Sequence, residues 1–81
     1  MQRVILRFSI NNETNSKLRN HVAGILQAAN FTNTKTGTWE ASSLTPAGCK
    51  AIHDALLALA NPQSVGAAPG VTADHVWLYA D

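Results

Sequence analysis

Apolar and polar residues alternate at both ends of the chain and recur at helical spacing between them. In residues 3–10, RVILRFSI, Val4, Leu6, Phe8 and Ile10 fall on one side, with Arg3, Ile5, Arg7 and Ser9 on the other. A period of two in residues that favour extended backbone predicts a half-buried strand. Asn11-Asn12 follows with turn and cap chemistry. Over residues 14–30, Leu18, Val22, Ile25, Leu26 and Ala29 recur as one helical stripe, away from Lys17, Arg19, Asn20 and Gln27. Asn12, Asn15 and Ser16 are candidates to cap its start and Asn30 to end it.

Residues 31–43, FTNTKTGTWEASS, read as extended structure. Two forms fit: a hairpin turning at Lys35-Thr36-Gly37, or one bent strand bulged at Gly37. Thr45-Pro46 then marks a helix start, a hydroxyl cap followed by proline at the first helical position. Cys49, Ile52, Leu56 and Leu59 supply its apolar stripe, widened by Ala55 and Ala60, and Asn61-Pro62 stops it. Residues 61–73, NPQSVGAAPGVTA, predict a flexible loop. The final stretch, HVWLYA, alternates again: Val76, Leu78 and Ala80 form the expected core face, with His75, Trp77 and Tyr79 opposite.

Strand, helix, strand pair, helix, strand is the order of an α+β, ferredoxin-like β-α-β-β-α-β fold. It puts two helices on one face of an antiparallel sheet, in a single domain over residues 1–81. The other sheet face is left open, carrying Arg3, Ile5, Arg7 and Ser9 from the first strand and His75, Trp77 and Tyr79 from the last.

Composition narrows the possible partners. The 81 residues are only 14% charged and the net charge is +1, so no strong field draws in phosphate. The lone cysteine, Cys49, forms neither an internal disulfide nor a cysteine metal cluster, and its register with Ile52 and Leu56 predicts a buried structural thiol. That inventory suits a reducing cytoplasm. The start MQRVILRFSI is broken by Arg3 and Arg7 and lacks a signal-peptide pattern, and no stretch approaches the roughly 18 apolar residues of a membrane span.

Catalytic constellations are sparse. Gly66 and Gly70 precede no helix, so they form no phosphate loop. His21, His53 and His75 share no metal-ligand spacing, and five acids, Glu13, Glu40, Asp54, Asp74 and Asp81, give no evident paired site; no metal is expected. His53 and Asp54, adjacent on a helix, are expected to point apart as solvated residues. The open face is better material, because Trp, Tyr and Arg are the types that anchor interfaces. Ile5, His75, Trp77 and Tyr79 are the candidates for packing against a second copy, which would also enlarge a small core.

One resemblance draws these features together. Trp39-Glu40 on a strand, Thr45-Pro46 opening the second helix, and Asp74-x-Val76-x-x-Tyr79 on the last strand resemble the second CRISPR-associated protein, the small dimeric partner of the spacer integrase. They also resemble the virulence-associated protein D endoribonucleases. The resemblance implies a symmetric homodimer associated with DNA or RNA, with Mg²⁺ as cofactor where nuclease activity is kept. In that family the functional acid is an Asp near the end of the first strand, in a Tyr-Asp-Ile type sequence. The matching stretch here is Phe8-Ser9-Ile10, so Ser9 stands at the Asp position. A neutral hydroxyl is a poor ligand for a divalent ion. Asn11 and Asn12 offer neutral oxygens nearby, and Glu13 a carboxylate from the helix start.

The implied function is a diverged, nucleic-acid-associated homodimer without nuclease activity, using Arg3, Arg7, Lys17 and Arg19 as a patch shared by two subunits. The alternative is a small regulatory or ligand-binding module with a site at the dimer seam, anchored by Ser9, Asn11, His75 and Tyr79. A purely structural subunit is the plainest reading.

Overall fold

A computed structural model describes residues 3–13 and 15–81. The elements are β1 (Val4–Asn11), α1 (Lys17–Ala28), β2 (Thr32–Lys35), β3 (Thr38–Ala41), α2 (Pro46–Ala60), a 3-10 turn (Pro62–Val65) and β4 (Thr72–Ala80). The strands form one antiparallel sheet in the order β2-β3-β1-β4. This is the expected α+β arrangement, compatible with a ferredoxin-like fold. β1 and β3 are central, while β2 and β4 are the edges.

The core lies between the sheet and the helices. Val4, Leu6 and Phe8 of β1 and Trp39 and Ala41 of β3 meet Leu18, Val22 and Leu26 of α1 and Ala51, Ile52, Ala55, Ala58 and Leu59 of α2. Three alanines on the buried face of α2 allow close approach to its neighbours at little cost in side-chain entropy. Ile25 and Ala29, at the flank of the α1 stripe, are half-buried against this core.

The second helix begins as its sequence dictates. Thr45 Oγ1 accepts from the Gly48 amide at 2.9 Å, and Pro46 takes the first turn. The first helix begins differently. Thr14, inside the range expected for it, lies outside the described residues, and the helix starts at Lys17. Ser16 is left-handed at φ 59° and makes no side-chain cap. Glu13 caps instead, accepting from the amide of Leu18 at 2.7 Å and from that of Arg19 at 3.4 Å. These two N–H groups have no partner within the helix, and the carboxylate also suits the positive end of the helix dipole. Replacing Glu13 by alanine should therefore cost about 1–2 kcal/mol, the upper range for a lost cap, read as a lowered thermal midpoint.

Residues 31–43 form a hairpin, with Thr36 and Gly37 turning between β2 and β3. Asn33 Nδ2 ties the turn by donating to the carbonyls of Lys35 at 2.8 Å and Thr38 at 3.0 Å.

Expectations for three segments are corrected. Cys49 is exposed, not buried. The buried face of α2 runs through Gly48, Ala51, Ile52, Ala55 and Leu59, and Cys49 lies roughly a third of a turn from its centre. Ala60 is also exposed and Leu56 only half-buried. Residues 61–73 are not a structureless loop. Pro62, Ala67 and Val71 are buried, and Gln63 Nε2 donates to the carbonyls of Ala68 and Val71 at 3.1 and 3.0 Å. Finally, Val76 and Leu78 are not core. They are 43% and 47% exposed, Ala80 is exposed as well, and on this side of β4 only Ala73 packs against the core.

Candidate functional site

Antiparallel register builds the open face strand by strand, since directly paired residues share a side of the sheet. Ile5 pairs with Glu40 and Arg7 with Thr38 on one flank, and Ile5 with Tyr79 and Arg7 with Trp77 on the other. Trp77 and Tyr79 are two apart on β4, and their rings stack with centroids 5.5 Å apart and planes within 5°. Both remain exposed, at 48% and 39%.

β4 breaks step at His75. Arg7 pairs with Trp77 and Ser9 with Asp74, so Phe8 alone faces His75 and Val76. One extra residue on one strand is a β-bulge, and His75 takes a left-handed φ of 51° to make it. His75 is therefore not a regular ladder position beside Trp77 and Tyr79. Its Nε2 lies 3.7 Å from Asp74 Oδ1. The bulge opens a cleft of about 420 Å³ whose lining includes Arg7, Ser9, Thr36, Thr38, His75 and Trp77.

The candidate cations do not gather on one chain. Arg3 lies at the opposite end of the face, 3.5 Å from Glu40 and 3.9 Å from Asp81. Arg19 is on the helical layer, with Nε 3.8 Å from Glu13 Oε1. Lys17 is also on α1, exposed near Gly66. Among the described residues, Arg7 and Lys17 have no carboxylate within ion-pair distance, and of these Arg7 alone belongs to the open face.

The surroundings of Ser9 do not fit a divalent cation. Across the sheet stands Asp74, whose Oδ2 accepts from Asn11 Nδ2 at 2.9 Å. Glu13, with its side chain 4% exposed, is spent on the α1 amides and Arg19. Asn12 Nδ2 turns away to the Gly70 carbonyl at 3.2 Å. One carboxylate and neutral oxygens are a poor match for a hard divalent ion. Among the described residues no three His, Cys, Asp or Glu side chains converge as a metal site.

His53 and Asp54 do not simply point apart. His53 Nδ1 lies 3.4 Å from Asp54 Oδ1, and Lys50 Nζ hydrogen-bonds Asp54 Oδ2 at 2.8 Å. The Lys50 hydrogen bond, foremost, and then His53 hold the Asp54 carboxyl below the usual carboxylate range, against some desolvation. A carboxyl with a depressed folded pKa contributes stability above its unfolded pKa and loses it as pH falls through the folded one. This exposed pair contributes little. It belongs to the helix surface, remote from the sheet face.

The His75 bulge, which sets Asp74 opposite Ser9, is the site feature not anticipated from the sequence. A signal was present. The inward apolar positions are odd at Val71 and Ala73 and even at Val76, Leu78 and Ala80, and such a change of phase requires an inserted residue.

No family model matches the chain, and no curated protein or solved structure does so either. No helix among the described residues is long and apolar enough to cross a membrane. What the fold and site define is a ferredoxin-like α+β domain with an uncovered sheet face and an uncovered apolar edge strand.

Proposed function

We propose that this chain is a homodimeric, nucleic-acid-associated protein of the reducing cytoplasm that binds without cutting, as a diverged relative of the CRISPR-associated and virulence-associated D proteins would. The observation that carries the reading is the pairing of Arg7 with Trp77. An exposed guanidinium that has no carboxylate partner among the described residues stands beside an exposed aromatic stack, above a cleft lined with hydroxyls. Phosphate on Arg7 and a base on Trp77 is the division of labour by which single strands are held. The absent nuclease activity follows from the poor donor set around Ser9, since metal-assisted phosphodiester cleavage needs an ion held by charged oxygens.

The test is binding of labelled single-stranded RNA and duplex DNA at low and moderate salt, with and without Mg²⁺. Trp77→Ala should weaken single-strand binding by about 1–3 kcal/mol for each stacked base. Arg7→Ala should lower affinity and flatten the salt slope by roughly 0.7 for each single-strand phosphate it no longer neutralises. Absence of binding at low salt, or binding indifferent to both substitutions, would reject the reading. Mg²⁺-dependent cleavage would reject its silent part.

The cleft itself favours a second reading, a ligand-binding module. Its volume lies within the range of small-molecule sites. Ser9 and His75 line it, whereas Asn11 is engaged with Asp74 and Tyr79 stacks on Trp77. A metabolite that raises the thermal midpoint of the parent protein but not of Arg7→Ala would establish it.

A further inference from the structure

The two edges of the sheet are treated differently. β2 is short, four residues of Thr-Asn-Thr-Lys, all exposed. A brief, polar edge ending in lysine resists pairing with another chain. β4 has nine residues, and beyond the His75 bulge the segment Val76–Ala80 contains neither a charge nor a proline. Of the five large apolar side chains exposed among the described residues, four are consecutive there: Val76, Trp77, Leu78 and Tyr79. They lie on both faces of the sheet. Packing the open face against a second copy would cover Trp77 and Tyr79 and leave Val76 and Leu78 wet. Pairing along the edge engages all four.

We propose that two copies join through β4, edge to edge and antiparallel, about a twofold axis at Leu78, making one continuous sheet. This rests on the homodimer reading above and specifies its geometry. The register follows from the bulge, which ends the regular segment at Val76, so that Leu78 is the midpoint of Val76–Ala80. Centring there sets Leu78 opposite Leu78 of the second copy, Trp77 opposite its Tyr79 and Val76 opposite its Ala80. The aromatic stacks of both copies meet on the open face, and their Arg7 clefts open on the same side of the joined sheet. The edge therefore makes the dimer without consuming the binding face.

Cross-linking separates the geometries. In a Cys49→Ser background, Leu78→Cys and Ile5→Cys are each oxidised with oxidised glutathione, while light scattering reports the mass. Edge pairing puts the two 78 positions about 5 Å apart at Cβ, within reach of a disulfide. The two 5 positions lie three strand spacings apart, roughly 14 Å, and are further offset along the strands, beyond a disulfide's span. The expected result is a dimer in which Leu78→Cys cross-links and Ile5→Cys does not. Leu78→Lys should raise the dimer dissociation constant about a hundredfold, from two leucines losing burial, without altering the far-UV spectrum. A dimer that cross-links through Ile5→Cys, or fails to do so through Leu78→Cys, overturns the edge geometry and leaves the homodimer reading standing. A monomer at every concentration overturns both, and turns β4 over to a strand from a different chain.

Discussion

Gly37→Ala is expected to destabilise the domain by about 3 kcal/mol or more, combining left-handed backbone strain with overpacking. Gly37 sits at φ +71°, and its carbonyl accepts from the Phe8 amide at 2.9 Å. This bond ties the β2–β3 turn to the central strand. A methyl group built on Gly37 lands on the Phe8 carbonyl oxygen. That oxygen belongs to the backbone of a central strand, so it has little room to move. Either the turn lifts off β1 and the bond breaks, or β1 deforms where Phe8 enters the core. Small domains have only about 5–15 kcal/mol of total stability, so the melting transition should fall steeply. Gly24→Ala is the matched control. Gly24 lies within α1 with open space around its missing side chain. There the same change should stabilise by roughly 0.5–1 kcal/mol through helix propensity. Equal effects at the two positions would mean that the close approach of Phe8 and Gly37 does not constrain the turn.

The same approach helps to shape the candidate site, since Gly37 and Thr36 border the cleft that Arg7 and Trp77 enter. A subtler substitution at the turn is expected to alter ligand binding before it unfolds the protein. Thr36→Ala removes a hydroxyl from the lining without changing the backbone.

Local chemistry made the elements readable. Alternation over residues 3–10, the helical stripe through Leu18, Val22 and Leu26, the Thr45 cap and the Pro62 stop each act within one turn or one strand, so sequence alone carries them. What escaped was decided by tertiary placement. Cys49 has the spacing of a core residue, yet its helix turns its small-residue face inward. Glu13 caps α1 from before a left-handed Ser16, a spacing that no common cap motif anticipates. The loop after α2 looks featureless by composition, yet it is pinned because Val71 and Ala67 find room under the sheet's end. Arg3 and Arg7 lie on one strand face and look equivalent, but Glu40 and Asp81 reach Arg3, while among the described residues no carboxylate reaches Arg7.

β1 and β4 show the ambiguity most sharply, and a pair of substitutions resolves it. Val4-Leu6-Phe8 and Val76-Leu78-Ala80 have the same alternation, and Leu6 pairs directly with Leu78. Only Leu6 is sealed, with no exposed surface, whereas Leu78 is nearly half open. Leu6→Ala should cost about 3–4 kcal/mol, since the lost transfer energy is joined by a cavity walled by both helices. Leu78→Ala in the isolated subunit should cost less than about 1 kcal/mol, because much of its side chain is already in water. Measured by chemical denaturation at low protein concentration, the two midpoints should separate widely. At high concentration the gap should narrow. In the proposed dimer Leu78 is buried only in the assembled state, so its loss should appear as a thermal midpoint that no longer rises with concentration. Alternation in a sequence shows that one face of a strand is to be covered. Whether its own helices provide that cover depends on the strand's place in the sheet: they seal central β1 and leave Val76 and Leu78 of edge strand β4 exposed.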